Sequence, residues 1–510
     1  MVVGGTSFTG GMGTMPGTLI GTIIIGILDK GLNQAGVHFS LQYIDKGLVI
    51  LAAVYLDVQR RKWTWHVPID RSRRSGQPQC QALATTWTTI VSDSIQQHIG
   101  ALGIVDVHEH HLPEITSCRQ VNLLQLFQQS YAGWTQARPY PLPSESRAGD
   151  PMLAAAGPTT WEALAPYLEN SGSSTFVRNL VRGVTELYGQ GGVLTRGNWE
   201  ALDAAVREHH GRPGWCAEVL RRAGIERVIT DSYSDPLLDA LEAFGNNYNS
   251  VLRINAFACG WHPESRDHNE NSAHALLARL GCKPESFDDY LAALEKLVDS
   301  LASRHQVALK NALAYDRDLS FDEPDEPSAR RAWGQVSPSP AERKAFGDLV
   351  VDRLCRLAGE RDVPVQMHLG TALIRGSHPL NAAGLVERHP RTRFLLMHLA
   401  YPWSRELLAM AFVYRNIWLD LTWSLLLSPS HFKLALHEAI ELLPDESRLM
   451  IGGDNWHVEE TYATMRLARR LIGEVLAEKI ADGYFGLDDA RRLAGKILKE
   501  NAAAFFGLSR

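Results

Sequence analysis

The sequence predicts an α/β protein of the (β/α)8 TIM-barrel class, with a helical insertion after the first strand and a short apolar two-helix segment ahead of the barrel. Short β-branched or apolar runs alternate with longer segments whose apolar residues recur every three or four positions, the pattern of βα units on a parallel sheet. The short runs number eight, and eight parallel strands with intervening helices close most naturally into a barrel. Several of the runs end in histidine or aspartate, at the rim where such barrels gather their active sites.

Composition sets the outer bounds. A chain of 510 residues could hold about three domains at roughly 150 residues each, yet one α/β barrel commonly takes 250 or more. Hydrophobic residues at 45% and charged residues at 21% are globular averages, against a disordered or wholly membrane-embedded chain. A formal charge of -6 gives no electrostatic reason to expect nucleic acid as a partner. The six cysteines, Cys80, Cys118, Cys216, Cys259, Cys282 and Cys355, include no CxxC pair, so neither a disulfide framework nor a cysteine zinc site is indicated.

The first element is apolar. Thr14 to Leu28 carries no charge, and a second apolar run spans Gly47 to Leu56. Neither reaches the ~20 residues of an independent spanning helix, and no basic residue precedes the first as a secretory signal requires. Arg60, Arg61 and Lys62 follow the second run as a positive-inside flank would. Membrane association through residues 14–58 would therefore leave the rest on the cytoplasmic side, and the expected location is cytoplasmic, free or anchored at the plasma membrane. Residues 63–100, with Arg71, Arg73, Arg74 and many Ser, Gln and Thr, read as a polar linker.

The barrel is expected over residues 101–510. Its strands are placed at Leu102–Val107, Arg227–Thr230, Val251–Ala256, Val307–Lys310, Val363–Met367, Phe394–Met397, Ile417–Leu421 and Leu449–Ile451. Tyr290–Leu301, Glu342–Leu357 and Thr461–Leu476 show helical periodicity. Residues 111–224 are far longer than a βα connection needs and are expected to form a helical cap over the mouth. Its aromatics Trp134, Tyr140, Trp161, Tyr167 and Phe176 would mostly pack the cap's own core.

The strand ends carry the chemistry. The first run ends in His108 and His110, the fifth in His368, the sixth in His398, and the eighth in Asp454. Residues two apart on a strand face the same way, so His108 and His110 can both point into the mouth. Neutral imidazoles with a carboxylate suit Zn²⁺ or a similar divalent ion with one position open to water. His111 and His457 lie just past strand ends, where touching substrate and capping a loop are both open. Lys310, ending the fourth run, contacts a substrate carboxylate or simply tops its strand. Arg253, in the third, either binds an anionic substrate group or meets an acidic neighbour, because a buried arginine is costly unpaired. Tyr315, Arg317 and Asp420 are further candidates for the mouth, whereas His209, His210, His378, His431 and His437 read as surface or loop residues.

Two resemblances follow from these residues. Gly4 to Lys62 resembles the carboxyl-terminal end of a ribose-type sugar ABC transporter permease, without the earlier spans that build a pathway, so transport by this chain alone is not expected. The segment reads as a fusion remnant or a membrane anchor. His108, His110, His368, His398 and Asp454, with QMHLG, LLMHLAYPWSRE, IWLDLTWS and IGGDNWHVEE, resemble the amidohydrolase superfamily over residues 100–510. Within it they are similar to the branch fused to glutamine-synthetase-like domains and, more distantly, to uronate isomerases. The ending ILKENAAAFFGL resembles that superfamily's terminal helix.

The resemblance implies that His108, His110 and His368 hold the metal with Asp454 as ligand or close neighbour. It also implies that Asp454 is the general base and that His398 stabilises the developing oxyanion. One ion, Zn²⁺ rather than Mn²⁺ or Fe²⁺, is preferred over two. With two, His398 would bind the second and Lys310, carbamylated, would bridge them. The expected activity is hydrolysis of a C–N or C–O bond in a small polar, carboxylated molecule. Uronate-type isomerisation or non-oxidative decarboxylation is the alternative on the same site, and a sugar-permease component is the rival from another class. An oligomer is possible on general grounds.

Overall fold

The computed structural model describes residues 91–111, 121–136, 157–189 and 191–508. The permease-like segment, most of the linker, and cap residues 112–120 and 137–156, Tyr140 among them, lie outside the described residues. Residues 91–101, inside or beside the span read as linker, are helical and bury Val91, Ile95 and Ile99. Their i, i+4, i+8 spacing is that of one helix face, a signal that the polar residues of the stretch obscured. Among the described residues no helix is long and apolar enough to cross a membrane.

Eight strands form one parallel sheet in sequence order: β1 (Ile104–Glu109), β2 (Ile225–Thr230), β3 (Tyr248–Arg253), β4 (Gln306–Asn311), β5 (Val365–Met367), β6 (Phe394–Leu396), β7 (Ile417–Asp420) and β8 (Leu449–Met450). The seam between β8 and β1 is stitched by Val107 N–H to the Ile451 carbonyl at 3.2 Å. All eight predicted strands are present, some displaced by a few residues. The helices differ by a few residues at both ends. Those predicted from Tyr290 and Glu342 begin earlier in the structure, at Phe287 and Pro340, because Ser286 with Asp289 and Ser339 with Glu342 form capping boxes that satisfy the first backbone donors.

The insertion between β1 and β2 is helical, as expected. It comprises α1 (Leu123–Gln128), α2 (Tyr131–Trp134), α3 (Trp161–Ser171), α4 (Thr175–Leu187), α5 (Trp199–His210) and α6 (Trp215–Ala223). Buried Asp203 of α5 holds α1 in place, accepting from Leu123 N–H at 2.9 Å and from the Thr159 hydroxyl at 2.6 Å. The long helix α7 (Val458–Ala481), which follows β8, meets the cap through Asn179 and Thr464.

The barrel lumen holds two chemically distinct layers. Towards the amino ends of the strands, Val105, Val107, Ile229, Val251, Ala308, Leu395 and Met450 pack on Ala502, Phe505 and Phe506 of the terminal helix. Asn501 anchors this plug by donating to the Leu449 carbonyl at 2.9 Å. Two residues further along the same strands stand Asp231, Arg253, Lys310 and Met397, all buried.

A β-bulge aims the histidines of β1. Asp106 pairs with Val228 and Glu109 with Thr230, so Val107 and His108 together oppose Ile229. The extra residue shifts the alternation: Val105 and Val107 line the apolar layer, after which His108 and His110 converge in the mouth. Gln366 of β5 reaches across to donate to the Val107 carbonyl at 2.9 Å, satisfying a group the bulge frees from the ladder.

Candidate metal centre

The ends of β1 and β8 are built to meet. Asp454 N–H donates to the His108 carbonyl at 2.7 Å, and His110 N–H to the Asn455 carbonyl at 2.8 Å. Asp106 accepts from the backbone of both His108 and Gly453, at 3.2 and 3.1 Å. Gly453 is required here, because a Cβ would stand 2.0 Å from Glu109 Oε1. Asp454 itself has φ 65° and His398 has φ 62°, backbone conformations that are strained for non-glycine residues and cluster at functional sites.

Three side chains therefore converge. His108, His110 and Asp454 each offer a ligand atom within 4.8 Å of the others, and all are buried. His108 Nε2 lies 3.2 Å from His110 Nε2, while Asp454 Oδ1 is 3.0 Å from His110 Nε2 and 3.6 Å from His108 Nε2. A tetrahedral ion with bonds of about 2.0–2.1 Å separates its ligand atoms by roughly 3.3–3.4 Å. The triangle matches that spacing. His110 Nδ1 donates to the Asp231 carbonyl at 2.9 Å, and since a carbonyl only accepts, Nδ1 carries a proton and Nε2 faces the centre. Burial, reinforced by Lys310, holds His108 well below the ordinary histidine range, so its ring is neutral. Burial would raise the Asp454 carboxyl, but contact with His110 and the nearby His398 and Lys310 outweigh it and keep the group below its usual value. Two imidazoles and an ionised carboxylate are a donor set that fits a divalent cation.

His368 stands apart from this triangle. Its Nδ1 lies 3.0 Å from His398 Nε2, and its Nε2 donates to the Thr371 carbonyl at 3.1 Å. His398 Nδ1 is 3.3 Å from the Thr422 carbonyl and 3.8 Å from Asp454 Oδ2. Burial pushes His398 down to about 4 and His368 well below its ordinary value. The expected four-residue set is thus rearranged into a triangle and a neighbouring histidine pair joined through Asp454, because His368 sits beyond His398 rather than beside His108.

The remaining candidates fall in varied places. Lys310 Nζ lies 3.4 Å from His108 Nε2 and 2.6 Å from the Met397 sulfur, and burial lowers it to about 8. Tyr315 packs against His368 at a 49° tilt with centroids 4.7 Å apart, at the mouth as predicted. Arg253 takes the second of its two expected roles: the Nε and Nη2 edge of its guanidinium donates to the Asp231 carboxylate at 3.1 and 2.6 Å, while Nη1 donates to Asn269 Oδ1 at 3.4 Å. His457 is fully buried beside Glu459 and His210, which act on it electrostatically, and His111 bonds Tyr248 and Thr461 at 2.8 and 2.9 Å. Both are placed in the cap-side framework and not in the triangle. His210, read as a surface residue, is buried against Glu459 at 2.7 Å, since α5 turns that face inward. Asp420 is buried and raised to about 7 by desolvation, accepting from Thr422 N–H at 2.7 Å. Arg317 pairs with Asp348.

Sequence reasoning missed the aromatic wall. Tyr131 of α2 lies 5.1 Å from Trp423 and 4.7 Å from Trp456. Trp423 stands 5.4 Å from His398, and Tyr233 stacks on His110 at 4.3 Å. Tyr233 stands three residues past β2 and Trp456 two past Asp454, a signal that was available. Tyr131 is reached only through the folded cap.

Comparison with known proteins agrees with this architecture. Residues 324–508 match the amidohydrolase family model. Protein fluG of Emericella nidulans is 24% identical over 346 residues, 61% of this chain and 39% of its own length. The ribose import permease of Bacillus subtilis is 56% identical over 57 residues, 11% of this chain and 18% of the permease. The chain thus spans about two fifths of the first relative and under a fifth of the second. Among solved structures, the uronate isomerase of Thermotoga maritima superposes with a TM-score of 0.64 at 15% identity, covering 82% of this chain and 97% of that one. Residues 324–508 thus carry an amidohydrolase-family match on a barrel whose strand ends gather histidines and an aspartate, and over that segment the chain is similar to the amidohydrolases.

Proposed function

We propose that the chain is a metal-dependent hydrolase that attacks a C–N or C–O bond of a small polar substrate with a water activated at the His108, His110 and Asp454 triangle. The observation that carries this is the spacing of the three ligand atoms, with Nε2 of His110 turned inward. His108, His110 and Asp454 would hold a divalent ion, which when bound would supply a water acidified towards pKa 7 and a Lewis acid for a carbonyl. Asp454, ionised and buried at the centre, is placed to accept the water's proton and return it to the leaving group. His398, beside Asp454 Oδ2, is placed to stabilise the developing oxyanion. Tyr131, Trp423 and Trp456 exclude water, which strengthens each of these interactions. Arg253 no longer supports a grip on a substrate carboxylate, since Asp231 takes its fork. A carboxylated substrate would instead need the ion or Lys310 as its cation.

Isomerisation of a uronate is the second reading, favoured by the likeness to the Thermotoga maritima enzyme. Metal analysis of the purified chain, followed by assays on D-glucuronate and on a panel of N-acyl and ester substrates, separates the two. Release of amine or alcohol supports hydrolysis, whereas ketose formation supports isomerisation. A chain that turns over every panel member as fast without metal as with it contradicts both.

A further inference from the structure

We propose that the buried Asp231–Arg253 pair, acting with Tyr233, is the positioning device that fixes the His110 imidazole for cation binding. This inference rests on the reading of His108, His110 and Asp454 as a metal site. Asp231 follows β2 directly and is tied to the end of β1 on both sides of its peptide. Its N–H donates to the Glu109 carbonyl at 2.8 Å, and its carbonyl accepts from His110 Nδ1 at 2.9 Å. The carboxylate of the same residue is gripped by Arg253 of β3, Nε to Oδ1 at 3.1 Å and Nη2 to Oδ2 at 2.6 Å. The two side chains are 2% and 0% exposed, so the fork is closed to solvent.

A second route runs through the rings. The Arg253 guanidinium lies 5.0 Å over Tyr233, whose ring stacks on His110 at 4.3 Å with 26° between planes. One arginine thus sets both the carbonyl that orients His110 and the ring that supports its face. Stability alone is a weak reason for such a pair, because removing two charges from water offsets most of their attraction. The contacts around it describe orientation: partners outside a ligand set fix tautomer and ring angle, and losing them typically costs 10–100-fold in metal affinity.

The test uses Co²⁺ alone as probe, so it needs no substrate. Asp231→Asn with Arg253→Gln replaces the ion pair by neutral amides and leaves no buried charge unpaired, whereas Arg253→Lys keeps the charge and loses the fork. Both are expected to bind Co²⁺ about 10–100-fold more weakly and to shift the visible absorption bands of the bound ion. Asp352→Asn, which breaks the contact to His389 away from the mouth, should leave affinity and spectrum unchanged. Variants that fold and match the wild-type affinity and bands would overturn the proposal. Should the double variant not fold, Tyr233→Leu decides: an unaltered Co²⁺ affinity and spectrum there overturns the ring route and with it the proposal. A wild-type chain that binds no Co²⁺ would instead refute the metal reading on which this inference depends.

Discussion

The two ends of the barrel lumen are made by the same strands and differ in almost everything else. At the amino end Val251, Ala308, Leu395 and Ile229 close on Phe505 and Phe506. Two residues later on those strands stand Arg253, Lys310, Met397 and Asp231. A shift of two positions keeps the side chain on the same face, so three of these four strands deliver one apolar and one charged group to the interior, and β6 adds the Met397 thioether. The apolar layer needs only volume and complementarity. The polar layer needs every donor and acceptor placed, since unpaired buried charge is far more costly than a missing methyl.

Disrupting each layer in turn sharpens the contrast. The largest effect is expected from Asp454→Asn, which preserves shape and removes the base: turnover of the substrate that the assay panel identifies should fall by about 10²–10⁴, with the melting temperature little moved. Near-normal rates would remove Asp454 from the mechanism. Phe505→Ala at the opposite end should show the reverse, a loss of about 3–5 kcal/mol in denaturant unfolding with Zn²⁺ affinity unchanged in the folded protein. A change in metal affinity there would mean that the two layers are coupled.

A smaller effect tests the cap-side framework. Glu459 is fully buried; burial would raise its carboxyl, but His210 and the Tyr188 hydroxyl at 2.6 Å outweigh this and hold it at about 2. A carboxyl depressed in the folded state contributes stability that is present above its unfolded value near 4.5 and is lost as pH falls towards 2. The wild type should therefore exceed Glu459→Gln by on the order of 2–3 kcal/mol at pH 7, with the gap narrowing below about pH 4.5. A gap independent of pH would show that the charge state is not what Glu459 contributes.

Much of the fold was legible because parallel strands buried on both faces must be β-branched or apolar, and runs such as VLRIN and FLLM satisfy that between helical segments. Strand-end histidines were legible for the same reason: a polar group abutting such a run has little use in a core. By that criterion Asp231, which ends IERVIT, was equally visible. The bulge was not, since Val107 and His108 give no sign in sequence that both face one residue of β2. Nor was the separation of His368 from the triangle, since no local pattern says that its Nδ1 meets His398 Nε2 at 3.0 Å rather than the ligand atoms of β1. Tyr131 depends on how α2 lies over the mouth, a long-range matter that no local pattern encodes.

The account turns on one ion at one place. Crystals soaked in Zn²⁺ and measured at the zinc absorption edge should show an anomalous peak bounded by His108 Nε2, His110 Nε2 and Asp454 Oδ1, about 2 Å from each. A peak confined to His368 and His398, or none at millimolar Zn²⁺, would contradict it.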